Sequence, residues 1–132
     1  MDRKEYAVEL KHKGNNCAQA VLLAFEDIVD LSADDLRKLG AAFGGGMGCM
    51  EGTCGALCGA EMILGLKRYE GKPIMSEAGE LHRAFAEKCT ATICKDLKGR
   101  DTGRVLCSCD DCVRHAVEAV SGSLRAVIMT GV

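Results

Sequence analysis

The sequence predicts an all-α protein, a compact bundle of about six helices, some of them short. Apolar residues recur at helical spacing in several segments, and no segment alternates with a period of two. The 132 residues fit one helical, cysteine-rich domain, residues 1–132. Aromatic residues make up only 4% of the chain and Trp is absent, so the core must consist of small and aliphatic side chains, which suits closely packed helices.

Capping residues and apolar spacing predict three helices in the first third of the chain. A short first helix stops at Gly14, because glycine readily ends a helix. Asn15 or Asn16 caps the second helix, whose apolar residues recur at helical spacing as far as Val29. Ser32, followed three residues later by an aspartate, gives the third helix a start that resembles a capping box.

The glycine run at residues 44–48 breaks the chain before the remaining helices. A fourth helix is predicted from about residue 53 to residue 69, and Ser76 caps a fifth that runs to about residue 88. The segment TATICKDLKG predicts one short helix that ends at Gly99. The last helix begins in CDDCVRHAVEAV, where acidic residues occupy the first turn, as the helix dipole favours.

Charge and hydropathy exclude several classes of partner. The net charge is −2 without a basic patch, so we do not expect nucleic acid to bind. The first residues, MDRKEYAVELKHKG, lack the apolar run of a signal peptide, and no apolar run reaches the length of a membrane span. The glycine run lacks the order of a phosphate-binding loop. We therefore expect a cytoplasmic protein without a membrane partner.

The nine cysteines are the most informative residues in the chain. In a reducing cytosol, many cysteines indicate metal binding or catalysis more often than structural disulfides. An odd number also excludes complete pairing within one chain. The cysteines fall into groups that differ in what their spacing predicts.

Cys54 and Cys58 are four residues apart in the predicted fourth helix. Cβ atoms at this spacing lie about 5–6 Å apart, whereas a disulfide needs about 3.5–4.5 Å. A shared metal therefore fits these two thiols better than a disulfide does, although both could be small core residues. Gly55 and Gly59 form a ridge of small residues on which a second helix backbone can approach closely.

A second group lies in the segment CSCDDCVRH. Cys109 and Cys112 form a C-x-x-C motif at a helix start, typical of redox or metal sites, and their position next to a loop predicts that both are accessible. Asp110 and Asp111 lie between the two thiols and should oppose the formation of a thiolate. Residue 113 is Val rather than His, so the motif cannot attach haem covalently.

The remaining cysteines give weaker signals. Cys17 lies at a helix start, where free amide groups can stabilise a thiolate or a cluster sulfide. His115, three residues after Cys112, is a further candidate ligand, although such a histidine is more often solvated or satisfied within a core. Cys89 and Cys94 are five residues apart, a spacing that indicates nothing alone, whereas Cys107 adds a C-x-C pattern to the second group. Cys49, Cys89 and Cys107 are secondary candidates.

The order of these motifs resembles the C-GCAxxG-C-C family of redox-active proteins. The resemblance rests on Cys17 in GNNCAQAV, on C-G-A-x-x-G from Cys54 to Gly59 after FGGGMG, and on single later cysteines, one of them in CKDLKG. It covers nearly the whole chain. It implies that the redox or metal residues are Cys17, Cys54, Cys94 and Cys112, with Gly55, Ala56 and Gly59 as the small residues of the motif.

The resemblance also implies a redox or cluster-binding role. Part of a split-Soret cytochrome, which carries an iron–sulfur cluster beside its haems, is similar to the family. Five cysteines of this chain lie beyond the family's four, which leaves open a second site or a different use of the first. We expect the family's four cysteines to converge when the helices pack.

Three hypotheses for function follow from the sequence. The first is a cytoplasmic protein that binds an iron–sulfur cluster or other metal and transfers electrons to an unidentified redox partner. Zinc is a further possible metal at the cysteines. The second is a dithiol–disulfide protein without metal, which uses Cys109 and Cys112, or Cys54 and a distant partner. The third is a helical interaction module with buried thiols, as a homodimer. No residue is assigned a catalytic role.

Overall fold

A computed structural model of the chain describes the backbone of residues 2–129 and the side chains of residues 2–125. It confirms the all-α fold class: over this range the chain forms a compact helical bundle without a β-strand. One 3₁₀ turn, Glu26–Ile28, accompanies the α-helices. The α-helices are α1 (Arg3–His12), α2 (Cys17–Ala24), α3 (Ala33–Gly40), α4 (Gly55–Arg68), α5 (Met75–Cys89), α6 (Cys94–Lys98) and α7 (Cys109–Met129).

Helices α2, α4 and α7 form the centre of the bundle. Each of the three packs against the other two, while α1 covers α2 and α7, α3 lies on α2, and α5 lies on α7 and α4. The core between them consists of aliphatic side chains, buried cysteines and two phenylalanines, Phe25 and Phe85. No helix in the described range is both long and apolar enough to cross a bilayer.

The second helix ends earlier than its apolar spacing predicts. Its last residue is Ala24, and the chain continues into the 3₁₀ turn instead of extending as a helix to Val29. The guanidinium of Arg3 lies 4.6 Å from the centre of the Phe25 ring and donates a hydrogen bond to the Ala24 carbonyl at 2.6 Å. This contact satisfies a carbonyl at the end of the helix and fixes the position at which the chain turns.

The glycines of α4 allow its backbone to touch the start of α2. A Cβ atom at Gly59 would lie 2.8 Å from the Ala18 carbonyl oxygen, and one at Gly55 would lie 2.6 Å from the Phe43 carbonyl oxygen. Both distances are shorter than real Cβ contacts, so a larger residue would have to push the backbones apart. This close approach sets the register of α4 on α2.

The glycine run forms a turn that covers Cys94. Four successive residues, Gly45 to Gly48, adopt positive φ angles, which glycine tolerates and Met47 does not favour. A Cβ atom at Gly46 would lie 2.5 Å from the Cys94 Cβ, so only glycine fits against this cysteine. The turn therefore shields the Cys94 thiol, which is buried.

A short antiparallel bridge joins the starts of α4 and α6. Thr53 pairs with Ile93. The Cys54 amide donates to the Thr92 carbonyl at 2.8 Å, and the Cys94 amide donates to the Gly52 carbonyl at 3.0 Å. The bridge thus places Cys54 and Cys94, which are distant in sequence, at two neighbouring helix starts.

We predict that Gly59→Ala lowers the free energy of unfolding by about 1–3 kcal/mol, because the new methyl group meets a backbone carbonyl that cannot move alone. Gly65→Ala in the same helix is the matched control, since a Cβ atom at Gly65 would meet nothing within 4 Å. Because alanine has a higher helix propensity than glycine, Gly65→Ala should raise the free energy of unfolding by up to about 1 kcal/mol. Urea denaturation of both variants measures the difference, and equal stabilities would disprove the close approach.

Candidate functional site: a thiol cluster at the helix starts

Most of the cysteines lie at or near the start of a helix. Cys17 is the first residue of α2, Cys54 immediately precedes α4, and Cys109 is the first residue of α7. Cys112 follows in the first turn of α7, and Cys94 begins the short helix α6. Because amide groups at a helix start have no partner within the helix, α2, α4 and α7 direct partial positive charge toward this region.

Three buried thiols form the tightest group. The Sγ atoms of Cys89, Cys107 and Cys112 all lie within 4.8 Å of one another. Cys89 is the last residue of α5 and Cys107 lies in the loop before α7, so three separate segments supply the group. Their side chains are 1%, 9% and 0% exposed, respectively. The group is therefore shielded from bulk water and can bind a metal ion.

Cys54 lies beside this group and interacts with Cys112, but it is not one of the thiols that all lie within 4.8 Å of one another. The contact with Cys112 and the burial of the side chain raise the pKa of Cys54 well above its ordinary value. Burial likewise raises the pKa of Cys107 to about 11. Without metal, Cys54 and Cys107 are therefore protonated at neutral pH, and a metal ion would have to displace their protons.

Cys17 and Cys109 form a separate pair on the more exposed side of the cluster. Both thiols are half-buried, and each shifts the pKa of the other. The contacts with Cys17 and with Lys98 lower the pKa of Cys109 to about 5, whereas the contact with Cys109 raises the pKa of Cys17. Cys109 is thus a thiolate at neutral pH and Cys17 remains a thiol.

Lys98 lies between the two groups of thiols. Its Nζ donates to the Cys112 Sγ at 3.6 Å and to the Cys107 carbonyl at 3.3 Å, and its charge also acts on Cys109. Partial burial lowers the pKa of Lys98, but the interactions with Cys112 and Cys109 raise it more, so the pKa lies above the ordinary value. Within the described residues this ammonium forms no salt bridge with a carboxylate. Of these two thiols only Cys109 has a lowered pKa, so the Cys109 thiolate is the anion that balances the charge of Lys98.

The predicted effect of Asp110 and Asp111 is right for Cys107, whose pKa is raised in part by the charge of Asp111, but wrong for Cys109. The Asp110 carboxylate lies 2.9 Å from the Lys11 Nζ and 2.8 Å from the His12 Nε2, and Asp111 lies 2.8 Å from an Nη atom of Arg114. Lys11 and Arg114 offset the two carboxylates. The contact with Cys17 and the charges of Lys98 and Lys11 therefore lower the pKa of Cys109.

The predicted accessibility of the C-x-x-C motif is right for only one of its cysteines. Cys109 is half-buried, but Cys112 is completely buried. The reason is their position in α7: Cys109 begins the helix beside the loop, whereas Cys112 lies in the first turn on a side that other helices cover. Ser108, whose hydroxyl accepts a hydrogen bond from the Asp111 amide at 3.1 Å, caps this helix.

The other candidates lie around the cluster rather than in it. Cys94 is buried beneath the glycine turn, its pKa raised by burial and by the charge of Cys54. Cys49 is exposed and lies 3.6 Å from the Gly46 carbonyl, and Cys58 is half-buried and lies 3.8 Å from the Thr53 carbonyl. The Nδ1 of His115 lies 3.4 Å from a Glu118 carboxylate oxygen, and this histidine is outside the three-thiol group.

Two residues of the site were not singled out from the sequence as candidates for a role. Lys98 lies four residues after Cys94, so the helical spacing of CKDLKG places both on one side of α6 and could have indicated it. Glu61, three residues after Cys58, has a buried carboxylate oxygen without a hydrogen-bond partner. Burial raises its pKa to about 7. Nothing in the spacing of Glu61 distinguishes it from an exposed glutamate.

Comparison with known families agrees with this geometry. A model of the family described as "Putative redox-active protein (C_GCAxxG_C_C)" matches residues 15–122. The chain belongs to this family. The match confirms the resemblance and includes all nine cysteines. No curated protein and no solved structure matches the chain. The roles of the family's four cysteines, Cys17, Cys54, Cys94 and Cys112, stay predictions.

We predict that alkylation of Cys109 depends on pH through Lys98. A lowered pKa means that the reactive thiolate is present above pH about 5 and is lost as the pH falls through that value. Lys98→Met should move the midpoint of this loss upward by about 1–3 units, because it removes a neighbouring positive charge. Iodoacetamide labelling of reduced, metal-free protein, followed by peptide mapping, measures the midpoint at Cys109.

Lys95→Met is the matched control for this experiment. Lys95 lies on the same helix as Lys98, and no described hydrogen bond joins its side chain to a thiol. The control should leave the midpoint unchanged. An equal shift in both variants would show that the overall charge of the chain, rather than the Lys98 contact, controls Cys109.

Proposed function

We propose that the chain is a cytoplasmic redox protein that binds an iron–sulfur cluster through its converging thiols and transfers electrons to a partner protein. The observation that carries this proposal is the buried group of Cys89, Cys107 and Cys112, whose Sγ atoms lie within 4.8 Å of one another, with Cys54 beside Cys112. Four cysteine thiolates are the usual ligands of iron–sulfur clusters and of structural zinc. The cytoplasmic location is part of the proposal because the cytosol keeps thiols reduced.

The residues of the site fit such a centre chemically. The thiols are shielded from water, and Lys98 together with the starts of α2, α4 and α7 offsets the negative charge that four thiolates would bring. A bound iron–sulfur cluster supplies a carrier of single electrons. The chain itself holds the ligands, excludes solvent and places a fixed positive charge beside Cys112, and such contacts tune the potential of a bound centre.

Two ligand sets compete for the centre, and they share two residues. The buried set is Cys54, Cys89, Cys107 and Cys112. The family resemblance implies instead Cys17, Cys54, Cys94 and Cys112. Cys54 and Cys112 belong to both sets, so their replacement tests the centre itself. Replacement of the remaining cysteines, one at a time, identifies which set binds the metal.

We predict that protein purified without oxygen contains iron and acid-labile sulfide and absorbs visible light. Cys112→Ser should lose most of the iron, because it removes a ligand from both sets. Cys49→Ser is the control, since Cys49 is exposed and belongs to neither set. Metal and sulfide assays of each variant measure the content, and retained helical circular dichroism shows that the variant is folded.

Other outcomes of the metal and sulfide assays would contradict the proposal in different ways. Zinc without sulfide and without colour would indicate a structural metal site. A fully reduced wild-type protein without metal would exclude the cluster. Loss of iron in Cys89→Ser and Cys107→Ser, but not in Cys17→Ser and Cys94→Ser, would assign the buried ligand set.

The proximity of Cys54 to Cys112 supports a second candidate function, dithiol–disulfide exchange without metal. Oxidation of metal-free protein should then join these two residues before any others, because their thiols are already in contact. Peptide mapping under non-reducing conditions identifies the first disulfide. A first bond within the group of Cys89, Cys107 and Cys112 instead would remove Cys54 from this function.

A further inference from the structure

We infer that Lys98 raises the reduction potential of the centre proposed above, whichever ligand set binds the metal. The inference rests on the proposed function and adds a positioning residue to it, since Lys98 acts through Cys112 and does not itself bind the metal. Cys112 belongs to both ligand sets, and it is the thiol to which Lys98 donates a hydrogen bond. The effect of Lys98 therefore does not depend on which of the other cysteines are ligands.

Two hydrogen bonds fix the position of the Lys98 ammonium group. Its Nζ lies 3.6 Å from the Cys112 Sγ and 3.3 Å from the Cys107 carbonyl oxygen, and it donates to both. The residue is half-buried, so solvent ions screen its charge less than they screen an exposed charge. The positive charge is therefore held beside the Cys112 sulfur.

The backbone of α6 keeps the lysine in this place. The Leu97 carbonyl accepts a hydrogen bond from the Cys107 amide at 3.3 Å, so consecutive residues of α6 hold both the amide and the carbonyl of Cys107. At the other end of α6, the Cys94 amide donates to the Gly52 carbonyl at 3.0 Å. α6 is thus attached to the segment before α4 and to the segment before α7, with Lys98 between the two.

Carboxylates do not neutralise Lys98, in contrast to two other cations near the start of α7. The Lys11 Nζ lies 2.9 Å from an Asp110 carboxylate oxygen, and the Arg114 Nε lies 3.0 Å from one of Glu5. Within the part of the chain that the structure describes, Lys98 forms no such pair. Of these three cations, Lys98 is the one whose charge no carboxylate offsets.

The charge balance of reduction gives the direction of the effect. A one-electron reductant adds one negative charge to a bound centre, and no bond has to form or break. A fixed positive charge beside a ligand sulfur stabilises the reduced form more than the oxidised form, because the reduced form is more negative. The hydrogen bond to the sulfur acts in the same direction. Removal of Lys98 should therefore make the centre harder to reduce.

The test is a redox titration of the full chain, purified without oxygen, with dithionite as the one-electron reductant and visible absorption as the readout. At a fixed applied potential, Lys98→Met should lower the ratio of reduced to oxidised centre by at least about tenfold, which corresponds to about 59 mV for one electron. Lys98→Arg should recover most of the difference, because it keeps the positive charge and the donors. Lys98→Gln takes the place of Lys98→Met if circular dichroism shows that the methionine variant is unfolded.

Lys95→Met is the matched control, since Lys95 lies on the same helix and no described hydrogen bond joins its side chain to a thiol. It removes the same charge from the chain and should leave the ratio close to that of the wild type. The comparison is repeated in a Cys109→Ser background, because the charge of Lys98 also acts on Cys109. The fall in the ratio should persist there.

Four results would overturn the inference while the centre itself remains established. They are an unchanged ratio in Lys98→Met, an equal fall in Lys95→Met, a fall that disappears in the Cys109→Ser background, and loss of iron in folded Lys98→Met but not in Lys98→Arg. The last result would show that the lysine holds the ligands together instead of setting the potential. Failure of the proposed function differs from all four, because it appears as absence of iron and sulfide in the wild-type protein.

Discussion

The contact between the backbones of α2 and α4 is the constraint on which the rest of the structure depends. Gly59 lies against the Ala18 carbonyl, and a Cβ atom at Gly55 would lie 3.4 Å from the Ala18 amide nitrogen. This register brings Cys54, just before Gly55, to the same end of the helix pair as Cys17, just before Ala18. α7 then packs on both helices and adds its own cysteines at that end. With larger residues in place of Gly55 and Gly59, the helices would separate and the thiols of Cys17 and Cys54 would lie further apart.

The electrostatic state of the cluster follows from this arrangement. Burial favours the protonated form of a thiol, and it dominates where Cys107 lies, below the surface. The contact with Cys17 and two lysine charges favour the ionised form of Cys109. A protein of ordinary net charge therefore contains protonated and ionised thiols side by side. The difference arises from the neighbours of each thiol, which for Cys109 are Cys17 first and then Lys98 and Lys11, rather than from any difference among the cysteines themselves.

The fold was largely predictable from the sequence, because helix periodicity and capping are local properties. The position at which α2 ends could not be predicted in this way, because it depends on a contact of Ala24 with Arg3, which is remote in sequence. The family motif indicated Cys54 and Cys112, which are in contact. The sequence spacing could not indicate that Cys89 and Cys107 lie beside Cys112, because Cys89 is at the end of α5 and Cys107 is in the loop before α7. The charge near Cys109 was misjudged because the cations that neutralise Asp110 come from α1.

The bridge between Thr53 and Ile93 has a consequence for how the chain folds. Helices form from local contacts, but this pairing closes a segment of forty residues, at an entropic cost of about 3 kcal/mol. Such long-range contacts form late in folding. Until this pairing forms, Cys54 and Cys94 are not yet held at neighbouring helix starts, and an oxidant can join either of them to a wrong partner. Correct assembly of the cluster therefore depends on a reducing environment before it depends on the folded structure.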